Sequence, residues 1–329
     1  MGFKSEIMIK GKTTFFDKVI FYFLIQLFGK RYKTPFSRNM YKGFFKLLQK
    51  KTQQKIALDR KGQDLVHKLS EKGWVEVKEQ DLAQDFLRLK KDSIAAALNI
   101  FDGSFETNTT LKTYLKGIDL KQYPEQVQLF NRFFTHPNFV DPISNYLGEN
   151  PLLTELKILY SPPTEMKKYS GSQLFHSDFD DDKLVKIFVL LDEVDQDSGP
   201  TELIEKKETS LIIEKTKYNW GVKRKKFSSH DDALLDVLDG KDNYVTLKGP
   251  RGAVFCVDTV SCLHRGSRNP KKGRKILYAN FSTRTSFRNT PLNWLIKNNL
   301  TLHKSSPLLN LDPEGKLDLK LIETHNSKK

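Results

Sequence analysis

Two residues in the middle of the chain, His176 and Asp178, carry side chains of the types that bind metal ions. They lie two positions apart in the stretch Phe175-His176-Ser177-Asp178-Phe179. Because side chains alternate between the two faces of an extended chain, residues at this spacing point to the same side. An imidazole nitrogen and a carboxylate oxygen placed in this way can share one metal ion.

The same spacing occurs a second time, in His230-Asp231-Asp232. This triplet follows Ser228-Ser229 and precedes the apolar run 233–235. Serine is a preferred helix N-cap, and acidic residues are favourable in the first turn of a helix. We therefore interpret residues 228–235 as the start of a helix, and a His-x-Asp triplet by itself as weak evidence for a metal site.

Residues farther along the chain supply the context that the first pair needs. His264 follows the apolar run 252–258, and Arg274 opens another apolar run, 275–281. Two histidines and one carboxylate provide three ligands on one side of an octahedral ion, the arrangement that non-haem Fe(II) oxygenases use. An arginine on a neighbouring strand can bind a dicarboxylate through paired, charge-assisted hydrogen bonds.

These motifs together resemble the phytanoyl-CoA dioxygenase family of Fe(II)/2-oxoglutarate oxygenases. The similarity covers roughly residues 60–285, and the motifs occur in the family's order and at its spacing. The residues that carry it are the run 175–180, the strand 186–194 with its continuation 195–202, and the segment 252–274, in particular Asp258-Thr259 and His264-Arg265-Gly266.

The resemblance implies a double-stranded β-helix, a jelly-roll or cupin-like core, in which His176, Asp178 and His264 are the catalytic Fe(II) ligands. It also implies that Arg274 binds the distal carboxylate of 2-oxoglutarate, whose keto acid end chelates the iron. Dioxygen would then be consumed, succinate formed, and a C–H bond of a small organic or lipid-like substrate hydroxylated. The substrate itself is left open, because family members act on acyl-CoA thioesters, small amino acids and other natural products.

The sequence departs from the family pattern at three places. Residues 203–208 replace the Pro-Gly-Ser-His stretch of many relatives, so the substrate-side loop there cannot be carried over. Lys275 follows Arg274 and points to the opposite face of a strand; we favour Arg274 for its bidentate geometry. Ile276 stands where some related oxygenases have a hydroxyl residue, which leaves the second contact to the cosubstrate open.

Several other polar residues near these motifs are candidates for lesser roles. A second cosubstrate contact could come from Gln173, Tyr160 or Thr201. Arg265 and Arg268 could meet an anionic substrate, although surface arginines often have no such role. Cys256 alternates with apolar residues, so we interpret it as core packing and not as a nucleophile.

The order of the predicted elements indicates an α+β fold with flanking helices, a helical N-terminal half and an all-β core. Helices are predicted over 63–72, 81–98 and 124–147, the last broken by Pro137 and Pro142, with a strand at 73–77. The predicted strands of the core are 152–160, 185–191, 201–205, 243–248, 253–258 and 275–282.

The basic charge of the chain lies mainly in its first 60 residues. The full sequence has 329 residues and a formal net charge of +15, from 55 Lys and Arg and 40 Asp and Glu. Residues 1–60 contain 14 basic and 3 acidic residues, and 12 of the 37 aromatic residues. With only two cysteines, the chain is not a disulfide scaffold and fits a reducing compartment.

This N-terminal segment leaves more than one interpretation open. The apolar run 15–28 is too short to cross a bilayer, and the cations at 30–33 do not fit a signal-peptide cleavage site. Apolar residues of 41–48 share a helix face opposite Lys42, Lys46 and Lys50, a pattern that suits either packing on the catalytic domain or a membrane interface. A protein partner is a further alternative, and a nucleic-acid partner is not favoured.

We therefore predict three parts: a basic, aromatic-rich helical extension (1–59), a catalytic domain (60–285, with its β core at about 150–285) and a C-terminal tail (286–329). The predicted protein is a cytoplasmic dioxygenase, with peripheral attachment to an anionic membrane surface left open. One alternative is a catalytically silent β-helix protein that binds a membrane or a partner through its N-terminal helices. Another is a metal-binding β-barrel with different chemistry, such as an isomerase. Nothing in the sequence predicts an oligomeric state.

Overall fold

The structure is a computed structural model that describes residues 8–9, 56–104, 114–118, 120–149, 151–165, 168–178, 183–216, 238, 244–268, 270–283, 300–301 and 309–310. Both predicted amphipathic segments of the N-terminal extension and the triplet 230–232 lie outside these residues. The three-part division and the membrane contact therefore stay predictions. No helix in the described part of the chain is both long enough and apolar enough to span a membrane.

The helices of the described residues begin where local sequence signals place them. The carboxylate of Asp59 accepts a hydrogen bond of 2.7 Å from the Gly62 N–H and so caps the first helix. Two further helices begin with a proline, whose fixed φ angle suits the first turn. The helices are α1 (Arg60–Glu71), α2 (Gln84–Ser104), α3 (Pro124–Phe134), α4 (Pro137–Leu147) and α5 (Lys206–Thr216).

The predicted helical stretch 124–147 is divided once and not twice. The break falls at residues 135–136, immediately before Pro137, which begins α4. The prediction that Pro142 breaks the helix was wrong, because α4 continues through it. Pro142 cannot donate to the carbonyl of residue 138, but α4 buries Phe139 and Ile143, and this packing maintains the helix across the missing hydrogen bond.

Most of the strands form two antiparallel sheets. The larger sheet has the order β12-β4-β10-β5-β8-β2, with β3 also paired to β4, and the smaller has the order β7-β6-β9. The strands are β1 (Met8–Ile9), β2 (Trp74–Val77), β3 (Lys116–Ile118), β4 (Leu152–Ser161), β5 (Val185–Leu190), β6 (Thr201–Leu203), β7 (Val245–Leu247), β8 (Val254–Asp258), β9 (His264–Arg265), β10 (Arg274–Ser282), β11 (Leu300–Thr301) and β12 (Leu309–Asn310).

The chain crosses repeatedly between these two sheets. It leaves β4 in the larger sheet and reaches His176, which forms a β-bridge with His264 at the edge of the smaller sheet. It then returns to the larger sheet as β5, passes through β6 and β7 in the smaller one, and alternates again through β8, β9 and β10. The mixed α+β class with antiparallel sheets is confirmed.

The larger sheet is buried on both faces, and alternate residues of each strand serve different cores. Val185, Ile187 and Val189 of β5 pack with the helices in one hydrophobic cluster. Phe188 and Leu190 belong to a second cluster that includes residues of the smaller sheet. This alternation follows from the two-residue period of a strand. The space between the sheets therefore has its own lining, distinct from that of the helix-covered face.

The two cysteines are buried and unpaired, as the sequence predicts. Cys256 lies on the helix-covered face of β8, and burial raises the pKa of its thiol to about 12, far from that of a nucleophile. Cys262 packs against Gly73, which has a φ of +82° and whose carbonyl accepts a hydrogen bond of 2.7 Å from Asp258 N. A Cβ at Gly73 would clash with the Cys262 Sγ. Only glycine satisfies both requirements at this position.

Truncation of Phe139 is expected to destabilise the helical layer severely. Phe139 is fully buried, and its ring centroid lies 4.8 Å from that of Phe86 and 5.6 Å from that of Phe133. We expect Phe139→Ala to lower the free energy of unfolding by about 3–5 kcal/mol, because the neighbouring rings cannot fill the cavity. Urea unfolding followed by circular dichroism measures the change. The control is Leu211→Ala on α5, a side chain 39% exposed, expected to change stability by less than about 0.5 kcal/mol; equal losses would contradict the packing.

Candidate metal centre

The two histidines of the predicted site come together by backbone pairing. His176 N donates to His264 O at 3.0 Å, and His264 N donates to His176 O at 2.9 Å. This reciprocal pair of hydrogen bonds is the β-bridge that extends the smaller sheet beside β9. The two imidazole centroids are consequently 4.2 Å apart, so two residues distant in sequence occupy one site.

Asp178 lies at the same site, on the segment that follows the His176–His264 bridge. Its backbone N–H donates to Thr259 O at 2.9 Å, which fixes the chain two residues after His176. One ligand atom each from His176, Asp178 and His264 lies within 4.8 Å of the others. A metal–ligand bond is about 2.1 Å long, so small side-chain rotations are enough to bring all three onto one ion.

Backbone carbonyls orient both imidazole rings. The Nδ1 atom of His176 lies 2.8 Å from Leu174 O, and that of His264 lies 3.2 Å from Cys262 O. A carbonyl can only accept, so each Nδ1 carries the hydrogen and each Nε2 has its lone pair available for a metal ion. Fixing the tautomer in this way is typical of metal-binding histidines.

The Asp178 carboxylate is surrounded by cations and donors. Its Oδ2 lies 2.5 Å from Lys186 Nζ, accepts a 2.5 Å hydrogen bond from Thr259 Oγ1, and is 3.8 Å from His264 Nε2. Burial alone would raise the pKa of Asp178, but the Lys186 ammonium outweighs it and holds the pKa below its ordinary value. Asp178 is therefore an anion, as a metal ligand must be.

A second buried carboxylate, Asp258, supports the site without belonging to it. Asp258 has no solvent exposure, and burial raises its pKa although five donors contact it. Those donors are the Tyr146 hydroxyl at 2.5 Å, the Ser261 hydroxyl at 2.7 Å, Val260 N at 3.0 Å, Ser261 N at 3.2 Å and Leu184 N at 3.4 Å. The contacts from Val260 and Ser261 fix the turn 259–261, and Thr259 in that turn is the residue that contacts Asp178.

Arg274 is the first residue of β10. Like the two histidines it is buried, with an exposure of 4%. Its Nη1 donates to Thr201 Oγ1 at 2.9 Å, and its Nη2 lies 3.2 Å from Ser267 Oγ and 3.4 Å from Ser161 Oγ. Among the described residues its buried Nε has no partner and no carboxylate lies within ion-pair distance. Burial lowers the pKa of Arg274 to about 10, so the guanidinium remains charged at neutral pH. The charge is uncompensated within the described part of the protein.

The backbone next to Arg274 is held in an unusual conformation. Ser267 has a φ of +59°, the one positive value among the described non-glycine residues. Its hydroxyl lies 2.7 Å from Ser161 Oγ as well as near Arg274. Strained backbone of this kind persists where the surrounding contacts enforce it, often at a binding site. Here it places a hydroxyl against the guanidinium.

The structure separates the lesser candidates of the sequence into two groups. Thr201 contacts Arg274, and Gln173 lies close by, since its Nε2 donates to Ser267 O at 2.8 Å. Tyr160 packs on the helix-covered face of β4, away from Arg274. Arg265 forms a buried ion pair of 2.5 Å with Glu202, so its charge is balanced within the protein.

Several residues of the site were not predicted from the sequence. Lys186 was included in an apolar strand, and no role was predicted for Thr259 at Asp178. The one available signal for Lys186 was its position as a lone charge within Val185-Lys186-Ile187-Phe188. The segment after residue 203, interpreted as a loop that could not be inferred, contains helix α5 from Lys206 onward.

No protein-family profile matches the chain, and no curated protein matches it in sequence. Among solved structures it is similar to the non-heme alpha ketoglutarate dependent epimerase SnoN from nogalamycin biosynthesis, with 15% identity, a TM-score of 0.45 and coverage of 67% of this chain and 82% of that one. EctD from S. alaskensis with 2-oxoglutarate and 5-hydroxyectoine gives 14% identity, a TM-score of 0.45 and coverages of 67% and 76%. HygX from Streptomyces hygroscopicus with nickel and 2-oxoglutarate gives 13%, 0.41, and 69% and 87%.

Cobalt titration tests whether these three residues act as a ligand set. We expect the wild-type protein to bind one Co(II), and Asp178→Ala or His264→Ala to weaken binding at least about 100-fold, because each removes one of three ligands. The visible d–d absorption of Co(II) reports binding.

The second His-x-Asp triplet provides the matched control for this titration. His230→Ala removes a histidine of the same sequence pattern and should leave Co(II) affinity unchanged. Equal loss of affinity in His230→Ala and His264→Ala would contradict the assignment of the metal centre.

Proposed function

We propose that this protein is an Fe(II)- and 2-oxoglutarate-dependent oxygenase that hydroxylates a small organic substrate. The observation that carries the proposal is the combination of two features in one interior. A His-Asp-His group lies beside a buried guanidinium that has no acidic partner in the described part of the chain. The first fits a divalent metal ion, and the second requires an anion.

The donor set supports iron as the metal. Two imidazoles and one carboxylate on one side leave other coordination positions open, which is the ligand arrangement of non-haem Fe(II) oxygenases. A structural zinc site would instead be closed by four protein ligands, commonly including cysteine. Cys262 is the nearest cysteine in sequence, but it is buried against Gly73 and its carbonyl orients His264.

The spacing between Arg274 and the histidines supports a short dicarboxylate as the cosubstrate. Thr201, which contacts Arg274, stands two residues before Leu203, which pairs with His264. Two residues of a strand span about 7 Å. A five-carbon dicarboxylate can bridge that distance, with one carboxylate at Arg274 and the other end at the metal ion.

The strand order supports a double-stranded β-helix. Eight consecutive segments, namely β4, the His176 bridge and β5 to β10, divide equally between the two sheets, and the chain changes sheet at every step except the β6–β7 pair, which lies in the smaller one. This winding is that of a jelly roll. The proposed ligands lie at the smaller sheet and its edge, so they face the interior and not the helices.

The residues of the chain would divide the work as follows. With Fe(II) and 2-oxoglutarate bound, the site would supply the coupled reduction of dioxygen and oxidation of a substrate C–H bond. Arg274 would hold and orient the distal carboxylate through charge-assisted hydrogen bonds. Thr259 would orient Asp178, and the backbone carbonyls of Leu174 and Cys262 would keep the histidine tautomers fixed.

A catalytically silent scaffold is the less well supported alternative. A protein without this chemistry would have no reason to keep a buried, unpaired guanidinium next to three metal-binding side chains, because burying an uncompensated charge is costly. An isomerase on the same metal predicts metal binding without consumption of 2-oxoglutarate.

Anaerobic titration with Fe(II) and 2-oxoglutarate tests the proposal. We expect the weak visible charge-transfer band of the ternary complex, and succinate when air is admitted. Arg274→Ala should raise the Kd of 2-oxoglutarate about 10- to 100-fold, because hydrogen bonds to charged groups contribute about 1.5–3 kcal/mol.

Lys275→Ala is the matched control, since Lys275 is the next residue of β10 and faces the helix-covered side, 4.3 Å from the Phe101 ring. It should leave the Kd of 2-oxoglutarate within about twofold of wild type. Absence of both the band and succinate in the wild-type protein would refute the enzyme hypothesis.

A further inference from the structure

A row of polar side chains crosses the interior face of the larger sheet beside the metal centre. Glu155 on β4, Asn280 on β10 and Lys186 on β5 are aligned by strand register, and Lys157 and Tyr278 form part of the next row. Tyr278 belongs to the cluster between the sheets, so this row faces the same interior. Charged side chains in such a position destabilise the fold unless they are paired or hydrogen-bonded.

The members of this row are linked to one another and remain partly accessible. Glu155 pairs with Lys157, and its other oxygen accepts a 2.8 Å hydrogen bond from the Tyr278 hydroxyl. The side chains of Glu155 and Lys157 are each 21% exposed, and those of Lys186 and Asp178 are each 17% exposed. A small molecule in the interior could therefore contact them.

Asn280 has a buried acceptor that no donor of the described residues satisfies. Its Nδ2 donates to Thr154 Oγ1 at 2.9 Å, but its Oδ1 is buried and has no hydrogen-bond partner in the described part of the chain. The residue as a whole is only 6% exposed. A buried acceptor without a donor is unfavourable, so a ligand with a hydroxyl or ammonium group would satisfy it.

Lys186 would lose its short contact with Asp178 when a metal ion binds, and among the described residues its ammonium would keep only the more distant Glu155 and the Tyr278 ring, 5.7 Å away. Its Nζ contacts Asp178 Oδ2 at 2.5 Å, the carboxylate that the metal requires. A divalent ion and an ammonium cannot share that oxygen at close range, because like charges repel strongly in a partly buried site. With Asp178 committed to the metal, the remaining row has two cations and one anion.

This row and Arg274 lie at opposite ends of β10. Asn280 is six residues from Arg274 along the strand, a distance of about 20 Å between their backbones. The interior residues between them include Ile276 and Leu190, which are apolar. The cosubstrate end and the row are thus two separate polar regions, with the metal centre between them.

On the basis of the proposed oxygenase chemistry, we propose that Lys186, Glu155 and Asn280 bind the primary substrate, a small molecule with a carboxylate next to a hydroxyl or ammonium group. Lys186 exchanges Asp178 for the substrate carboxylate when the metal binds. Asn280 and Glu155 accept from the hydroxyl or ammonium group. The row favours a polar substrate over the lipid-like one that the sequence left open.

The first test measures metal and cosubstrate binding in Lys186→Met, which removes the charge and keeps much of the side-chain volume. Co(II) affinity should stay equal or become up to about tenfold tighter, because the competitor for Asp178 is gone. The Kd of 2-oxoglutarate, from the anaerobic Fe(II) band, should remain within about threefold of wild type. Tenfold weaker Co(II) binding would mean that Lys186 builds the metal centre. Tenfold weaker 2-oxoglutarate binding would mean that it holds the cosubstrate. Either result overturns the assignment.

The second test measures binding of defined probes to the redox-inert Ni(II) and 2-oxoglutarate complex. The probes are the common L-amino acids, lactate and glycerate, each compared with its neutral amide. At millimolar concentration at least one acid should raise the Tm of the wild-type complex by about 2 °C or more, and its amide should not. The shift should be lost in Lys186→Met and Asn280→Ala and kept in Lys275→Met, on the opposite face of the sheet.

The outcomes of the two tests separate this assignment from the proposed function. No shift with any acid, equal shifts with the amides, or a shift that persists in Lys186→Met would overturn the substrate assignment while the Fe(II) and 2-oxoglutarate band remained. Absence of that band would instead refute the oxygenase itself.

Discussion

The constraint on which the rest of the structure depends is the burial of the larger sheet on both faces. One face of each strand must suit the helices, and the other must suit the space between the sheets. A hydrophobic side chain satisfies either requirement at no electrostatic cost, whereas a charged one must find a partner. The charged residues on the interior face include Arg274, Lys186, Glu155 and Lys157, and each is linked to a polar or charged neighbour.

Asp258 connects the helical layer to this interior. Tyr146 belongs to α4, and its hydroxyl reaches a carboxylate that also fixes the turn after β8. That turn carries Thr259, the residue in contact with Asp178. The packing of a helix on the outside of the sheet is thus transmitted to the carboxylate of a proposed metal ligand through two hydrogen bonds and one turn. A fully buried carboxylate is costly to maintain, and the rigidity it gives to the site is the compensation that the contacts suggest.

The sequence predicted best where local pattern and tertiary structure demand the same residues. The apolar runs that became β4, β5, β8 and β10 are short, rich in β-branched and aromatic residues and bounded by turn residues, and they were located to within two residues. His176, Asp178, His264 and Arg274 were identified from the order and spacing of the motifs around them, because the His-x-Asp pattern alone occurs a second time at 230–232. Lys186 was missed because its contacts depend on tertiary structure. Its neighbours become apparent only when β5 is aligned with β10 and with the loop that carries Asp178. Helix α5 was missed because residues 203–208, which include its first turn, do not follow the family pattern, so no structure could be carried over to them.

The close contact between Gly73 and Cys262 has a consequence for sequence variation in this protein. Cys262 supplies the carbonyl that orients the His264 ring, so a side chain at position 73 would displace the segment that aims a proposed metal ligand. Position 73 precedes β2 and is separated from position 262 by most of the domain in sequence. Position 73 should nonetheless stay glycine, because a smaller residue at 262 would remove the clash but not the strain that a φ of +82° places on any other residue. A stretch that looks like ordinary scaffold is in this way constrained by the geometry of the site.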